Sequence, residues 1–337
     1  MTEESSTASY LSVAMTSTGM QENTGENTMT PSSSRGFDFY LNCAVVVLAG
    51  VGITGNGTVL YALVASEQHK KNILIVYQNV FDCVTCLFVI LNHFTQLFDI
   101  HLTGSVGYWL CTLLFSAMPS TASNTGSLMI IAAISVERYL KIVHTAWSKK
   151  ILRTRMVYIL ALVIALIIAF ASIIPVFLTS VVIDGVCYAY TIWNSETARI
   201  IFFMWHFLSF YVILLFIFIF CYSRILVVVR RQATVMAGHN AAGPSAAAQT
   251  QSNQARNNVV STMILVSALY AITHLFGYVV YLILYFNPYL PSIIGEILYR
   301  ATFVELAYVC IINPLIYAVN FIPVKKVLLQ MIRREYN

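Results

Sequence analysis

Charge is scarce in this chain: Lys, Arg, Asp and Glu make up 10% of its 337 residues, against 58% hydrophobic residues. A soluble globular domain carries about 25% charged residues, so that class is excluded. Residues 1–37 hold no long apolar run, no basic start of a cleavable leader and no Asn-x-Ser/Thr acceptor. Rich in Ser, Thr, Glu and Gly, this tail cannot bury a core and is expected to be disordered and extracellular. Inside the apolar runs there is no lysine, and the third run has no acid before Glu137. The histidines His93, His206 and His274 lack metal-ligand spacing, which argues against an intramembrane hydrolase.

What the chain has instead is length of apolar sequence. Hydrophobic segments occupy residues 39–65, 73–98, 106–136, 156–183, 200–223, 257–289 and 301–322. Each can cross a bilayer, which takes about 20 apolar residues per helix. Lipid offers no hydrogen bonds to a backbone, so each segment must be helical. The expected fold is an all-α membrane protein, a seven-transmembrane helix bundle over residues 38–322. A short amphipathic surface helix and tail follow at 323–337, where Pro323 can open a helix and Val324 to Arg334 alternates basic and apolar positions.

The net charge of +5 does not indicate nucleic acid here, because its placement follows the bilayer. Lys70, Lys71, Lys141, Lys149, Lys150, Arg153, Arg155, Arg224, Arg230, Arg231, Arg256, Lys325, Lys326, Arg333 and Arg334 fall between alternate spans or after the last. With Arg138 they make 16 of the 19 basic residues on one side, leaving Arg35, Arg199 and Arg300 for the other. That side is expected to be cytoplasmic, with the amino terminus outside. Residues 232–255, made of Ala, Gln, Ser and Asn around Gly243-Pro244, read as a flexible cytoplasmic loop.

A membrane helix carries polar residues at a cost, so those it keeps are informative. Asp82 lies deep in the second span and calls for a partner, a proton or a cation. Glu137-Arg138-Tyr139 ends the third span, where the acid can hold the neighbouring guanidinium until something replaces it. Taken alone, Arg138 is as well read as a basic anchor reaching for headgroups. Asn313-Pro314-Leu315-Ile316-Tyr317, near the end of span seven, adds a buried amide, a proline that frees a carbonyl and a tyrosine directed to the cytoplasm.

Gly55-Asn56, Asp82, Trp109-x-Cys111, Glu137-Arg138-Tyr139, Tyr222 and Asn313-Pro314-x-x-Tyr317 occur in order and in the right spans. In these motifs the chain resembles the rhodopsin-like family of G-protein-coupled receptors, from residue 39 to the surface helix. The resemblance implies a plasma-membrane receptor whose partners are a heterotrimeric G protein, an extracellular ligand and the lipid bilayer, and which is not an enzyme. It implies a disulfide between Cys111 and Cys187. It makes Glu137, Arg138, Tyr139, Tyr222, Asn313, Pro314 and Tyr317 the G-protein coupling switch, Tyr222 and Tyr317 moving together on activation. It also places a sodium ion at Asp82, Ser127 and Asn313; since Val309 and Cys310 replace polar residues common in the family, an ion-free hydrogen-bond network is the alternative.

The departures from the family pattern are as informative. Span six reads Thr273-His274-Leu275-Phe276 where Cys-Trp-x-Pro is usual, Leu214 replaces the span-five proline and Ala165 the span-four tryptophan. Arg256 stands where an acid often pairs with the span-three arginine. Either span six rearranges by another route, or its equilibrium is biased toward high basal signalling.

For the ligand, span three lacks the mid-helix acid of cationic amine receptors, Ser120 falling at that depth. Without a lysine in any span no retinal Schiff base can form. The candidate ligand-binding residues are Ser120, His206, Phe210, His274, Tyr278, Tyr281 and Phe303, suited to a peptide or non-amine small molecule. Aromatic side chains in membrane helices are more often packing, and the two histidines are the sharper candidates. Acidic outer-loop residues Asp99, Asp184, Glu196 and Glu296 suit a basic peptide or are merely solvated. Glu305 has no assigned role. A membrane transporter or channel, the alternative class, would show repeated halves or several intramembrane charges, whereas only Asp82 and Glu305 lie within spans.

Overall fold

The computed structural model describes residues 32–98, 100–115, 118–152, 155–188, 195–237, 244–286 and 311–335, with single positions 294 and 301. Helices fill nearly all of it. Span one is Ser32–Ala65, beginning inside the segment read as tail, and span two is Ile73–Leu97. Span three starts as Gly104–Leu110, widens into a π-turn at Cys111–Phe115 and resumes as Met118–Val143. Pro119, a residue type that often marks a bulge in a membrane helix, stands just beyond that irregularity, which itself begins at the cysteine. A short helix, Thr145–Ile151, leads to span four, Arg155–Thr179. Span five is Glu196–Phe207, a second π-turn at Leu208–Val212 and Ile213–Ala237; span six is Pro244–Phe286. Of span seven, residues 311–320 are described, followed after a bend of 86° by the surface helix Ile322–Glu335.

Among the described residues five helices are long and apolar enough to cross a membrane alone; residues 311–320, the described part of span seven, pass that test only together with the bent helix that follows. The remaining span, Met118–Val143, is more polar because it is central: it packs against spans two, four and five, and Ser120, Ser123, Thr125, Ser127 and Ser135 are all buried along it. The outward faces are the reverse of a soluble protein. Phe216 is 74% exposed, Leu178 71% and Phe170 66%, apolar surface that only lipid can cover.

Much of the stretch read as a flexible loop is helical, since span five continues to Ala237 and span six begins at Pro244. The physical reason is that Ala and Gln have good helix propensity without forming an apolar face, and a proline fits the first helical turn. Helices here outrun the bilayer. After span four a two-stranded hairpin, Val181–Ile183 with Val186–Tyr188, turns through Asp184 and Gly185. Gly185 has φ +81°, and an added Cβ would sit 2.6 Å from the His101 ring, so only glycine fits that turn.

Candidate functional site

Three polar clusters lie at three depths of the bundle. The one at the end of the bundle where span three closes surrounds Glu137, which is 5% exposed. The Arg138 guanidinium approaches its carboxylate at 3.5 Å, as the sequence pairing anticipates. Glu137 is nonetheless shared: the Lys141 ammonium donates to it at 2.5 Å and the Tyr158 hydroxyl at 3.1 Å. Arg138 in turn donates to the Asn72 side-chain oxygen at 3.1 Å, tying span three to the start of span two. Tyr139 stands apart from this set, its hydroxyl 3.0 Å from the His144 ring and its own ring against Phe220.

In the middle of the bundle Asp82 is buried and both its oxygens are engaged. Ser127 donates to one at 2.6 Å and the Asn313 amide to the other at 2.9 Å, so spans two, three and seven meet on one carboxylate. A cavity of about 10 Å³ adjoins them, lined by Asn124, Ser127, Tyr270, Thr273 and Asn313 among others. That is room for about one water. As a sodium site the set has one carboxylate and neutral oxygens, which suits a hard monovalent cation. The amide of Asn313 as assigned turns its nitrogen toward Asp82, so its oxygen would join a cation only after the amide rotates.

Below Asp82, the Tyr317 hydroxyl donates to Gln78 at 2.5 Å, both residues being fully buried. Tyr222 is held by Ser135 at 2.8 Å and Ser267 at 3.2 Å, bridging spans three, five and six. Asn56 is buried, its amide donating to the Gly52 carbonyl at 2.9 Å. Beside it Gly55 lets span one approach span seven, for an added Cβ there would meet Pro314 at 3.1 Å.

Toward the opposite end of the bundle, the histidine of span five and a tyrosine of span six join, His206 lying 2.8 Å from the Tyr278 hydroxyl. Phe210 packs on His206 with ring centres 4.7 Å apart, and Phe207 and Tyr211 close around Tyr278. His274 sits deeper, against Tyr270 at 4.1 Å. Ser120 is buried in span three beside the Ser123 and Thr85 hydroxyls. His206, Phe210 and Tyr278 thus come together, whereas Ser120 and His274 belong to neighbouring layers. The Tyr281 side chain, Phe303, Glu305 and the outer half of span seven lie outside the described residues, as do Asp99 and Glu296. Cys111 and Cys187 form the disulfide that fastens the hairpin to the top of span three, with Cα atoms 5.3 Å apart.

Asn72, Gln78, Ser135, Lys141, Tyr158, Ser267 and Tyr270 are site residues that the sequence reading passes over. Only Gln78 carries a signal that could have found it, an amide inside an apolar span needing a partner. The hydroxyls look like ordinary helix residues until their neighbours are known.

No curated protein matches the chain. The crystal structure of squid rhodopsin has the same fold, with a TM-score of 0.72 and 18% identity over 94% of this chain and 90% of that one. The sequence profile of the 7 transmembrane receptor (rhodopsin family) matches residues 55–317, which span the Gly55-Asn56, Asp82, Arg138 and Tyr317 positions described above. With multi-pass membrane architecture, a Cys111–Cys187 disulfide and no enzymatic activity expected of that family, the chain belongs to the rhodopsin family of seven-transmembrane receptors.

Proposed function

We propose that the chain is a plasma-membrane receptor with its amino terminus outside, turning the binding of an extracellular peptide or non-amine small molecule into activation of a heterotrimeric G protein. One observation carries this: Arg138, Asp82 and Tyr317, each expensive in lipid, are each held by a partner on another span. A set of polar contacts that joins spans two, three and seven can be exchanged for another set, whereas apolar packing alone offers no such alternative. Outward movement of span six would part Arg138 from Glu137 and open the basic cytoplasmic face to the G protein. Tyr222 and Tyr317 would leave Ser135, Ser267 and Gln78 for that opened cleft. Sodium at Asp82, Ser127 and Asn313 would favour the closed arrangement by drawing these spans together. The ligand would act through His206, Phe210 and Tyr278, with Ser120, His274, Tyr281 and Phe303 as the further candidate contacts.

A second reading, substantial signalling without ligand, is favoured by the way Glu137 is divided: Arg138 is the most distant of its three partners. The decisive experiment is nucleotide exchange on purified G proteins of each class, with and without a library of peptides and small molecules. Arg138→Ala is expected to abolish exchange at normal surface level. Full coupling by that variant refutes the switch, and basal exchange no greater than that of empty membranes refutes the second reading.

A further inference from the structure

Three tyrosine hydroxyls tie span six to span five at three depths. Tyr278 meets His206 near the outside, Tyr222 meets Ser267 near the cytoplasm, and between them the Tyr270 hydroxyl donates to the Phe210 carbonyl at 2.5 Å. The middle bond is made to main chain alone, at 2.5 Å, whereas Tyr278 lies 2.8 Å from the His206 ring and reaches the His206 carbonyl only at 3.5 Å. Phe210 lies in the π-turn Leu208–Val212, where the Ile213 N–H reaches back to the Leu208 carbonyl, five residues away. Such a turn shifts the register of donors by one residue, and the Phe210 carbonyl lies within it, where it accepts the Tyr270 hydroxyl from span six. In lipid a carbonyl cannot turn to water.

Tyr270 is built for that task. It is buried, with Phe218 edge-on at 5.7 Å and His274 across it at 4.1 Å. It also lines the small cavity shared with Ser127 and Asn313, the two donors to Asp82. One hydroxyl therefore sits between the irregular turn of span five and the polar core of spans two, three and seven. Span six runs as one helix from Pro244 to Phe286, without a proline inside, so a hold at its middle restrains the whole rod.

We propose that Tyr270 is the positioning residue that keeps span six in its resting place, its hydroxyl capping the Phe210 carbonyl, and that this latch takes over from the missing proline kink. The proposal rests on the receptor reading above and extends it. A ligand that displaces Phe210, or His206 packed on it, acts directly on the latch acceptor.

The test uses the full chain in lipid nanodiscs, spin-labelled at Val227→Cys and Ser261→Cys, exposed positions on the cytoplasmic parts of spans five and six. A chain without the two introduced cysteines measures background labelling. Tyr270→Phe removes only the hydroxyl and is expected to raise the ratio of wide to narrow distances by about 2- to 12-fold, the worth of one hydrogen bond. Leu214→Pro deletes the amide four residues beyond Phe210. Its effect on the distances is expected to depend on whether residue 270 bears a hydroxyl. An unchanged or narrowed distribution in Tyr270→Phe overturns the latch, as does an equal effect of Leu214→Pro in both backgrounds. Nucleotide exchange is read in parallel: failure to activate any G protein refutes the coupling reading, while the distances still decide the latch.

Discussion

Removing the carboxylate at the centre of the bundle separates two kinds of support for this fold. In Asp82→Ala, the Ser127 hydroxyl and the Asn313 amide both lose their acceptor in a buried site. Each unsatisfied donor costs about 1–3 kcal/mol, so the variant is expected to lose about 2–6 kcal/mol. Asp82→Asn keeps one oxygen for Ser127, and rotation of the Asn313 amide can present its oxygen to the new NH₂ group. Its expected loss is about one hydrogen bond at most, or ~1 kcal/mol. Thermal unfolding of the purified protein, followed by thiol exposure, reads the order wild type, Asn, then Ala. The same experiment tests sodium. If the cation binds at Asp82, replacing a large organic cation by sodium stabilises the wild type through mass action, and Asp82→Asn loses the increment. Equal midpoints for Asn and Ala would show that Asp82 contributes charge alone, and would refute the hydrogen-bond account.

Four further outcomes follow from single contacts. Loss of the disulfide in Cys111→Ala frees a loop closed across a sequence separation of 76, worth about 4 kcal/mol in a soluble chain; inserted spans already limit the unfolded state, so a smaller fall in midpoint and in surface level is expected, and unchanged surface level refutes it. Lys141→Gln gives Arg138 a larger share of Glu137; as Lys141 is about a third exposed, basal exchange should fall by less than about twofold, the scale of an i,i+4 pair, and a rise refutes the sharing argument. Gln78→Leu takes away the Tyr317 acceptor and should raise basal nucleotide exchange, whereas a decrease would make Gln78 a partner of the active arrangement. Gly126→Ala brings a Cβ within 2.5 Å of the Phe81 ring, and should cost about 1–3 kcal/mol of overpacking less ~1 kcal/mol of helix propensity; stabilisation in thermal unfolding would show that the ring moves freely.

The positions of Asp82, Arg138, Asn313 and Tyr317 were legible in the sequence because each is a polar group in a solvent that penalises it. The pairing of Arg138 with Glu137 was legible too, being local. Its dilution by Lys141, Tyr158 and Asn72 was not, since two of those partners come from other segments. The two π-turns left little trace: Pro119 hinted at the first, and Leu214 pointed away from the second. Residues 232–255 misled because low hydrophobicity was read as a loop, although Ala and Gln continue a helix beyond the bilayer.

By itself the sequence determined that this protein lives in lipid, how often it crosses and which side carries the positive charge. Those features follow from a solvent that acts on every residue independently, accepting apolar side chains and demanding helical backbone. The tertiary structure alone decided which polar groups meet. The Tyr270 hydroxyl and the Phe210 carbonyl are 60 residues apart, and whether they touch depends on the rotation and depth of two helices. Hydrogen bonds fail within fractions of an ångström, and only the packed bundle sets distances that finely.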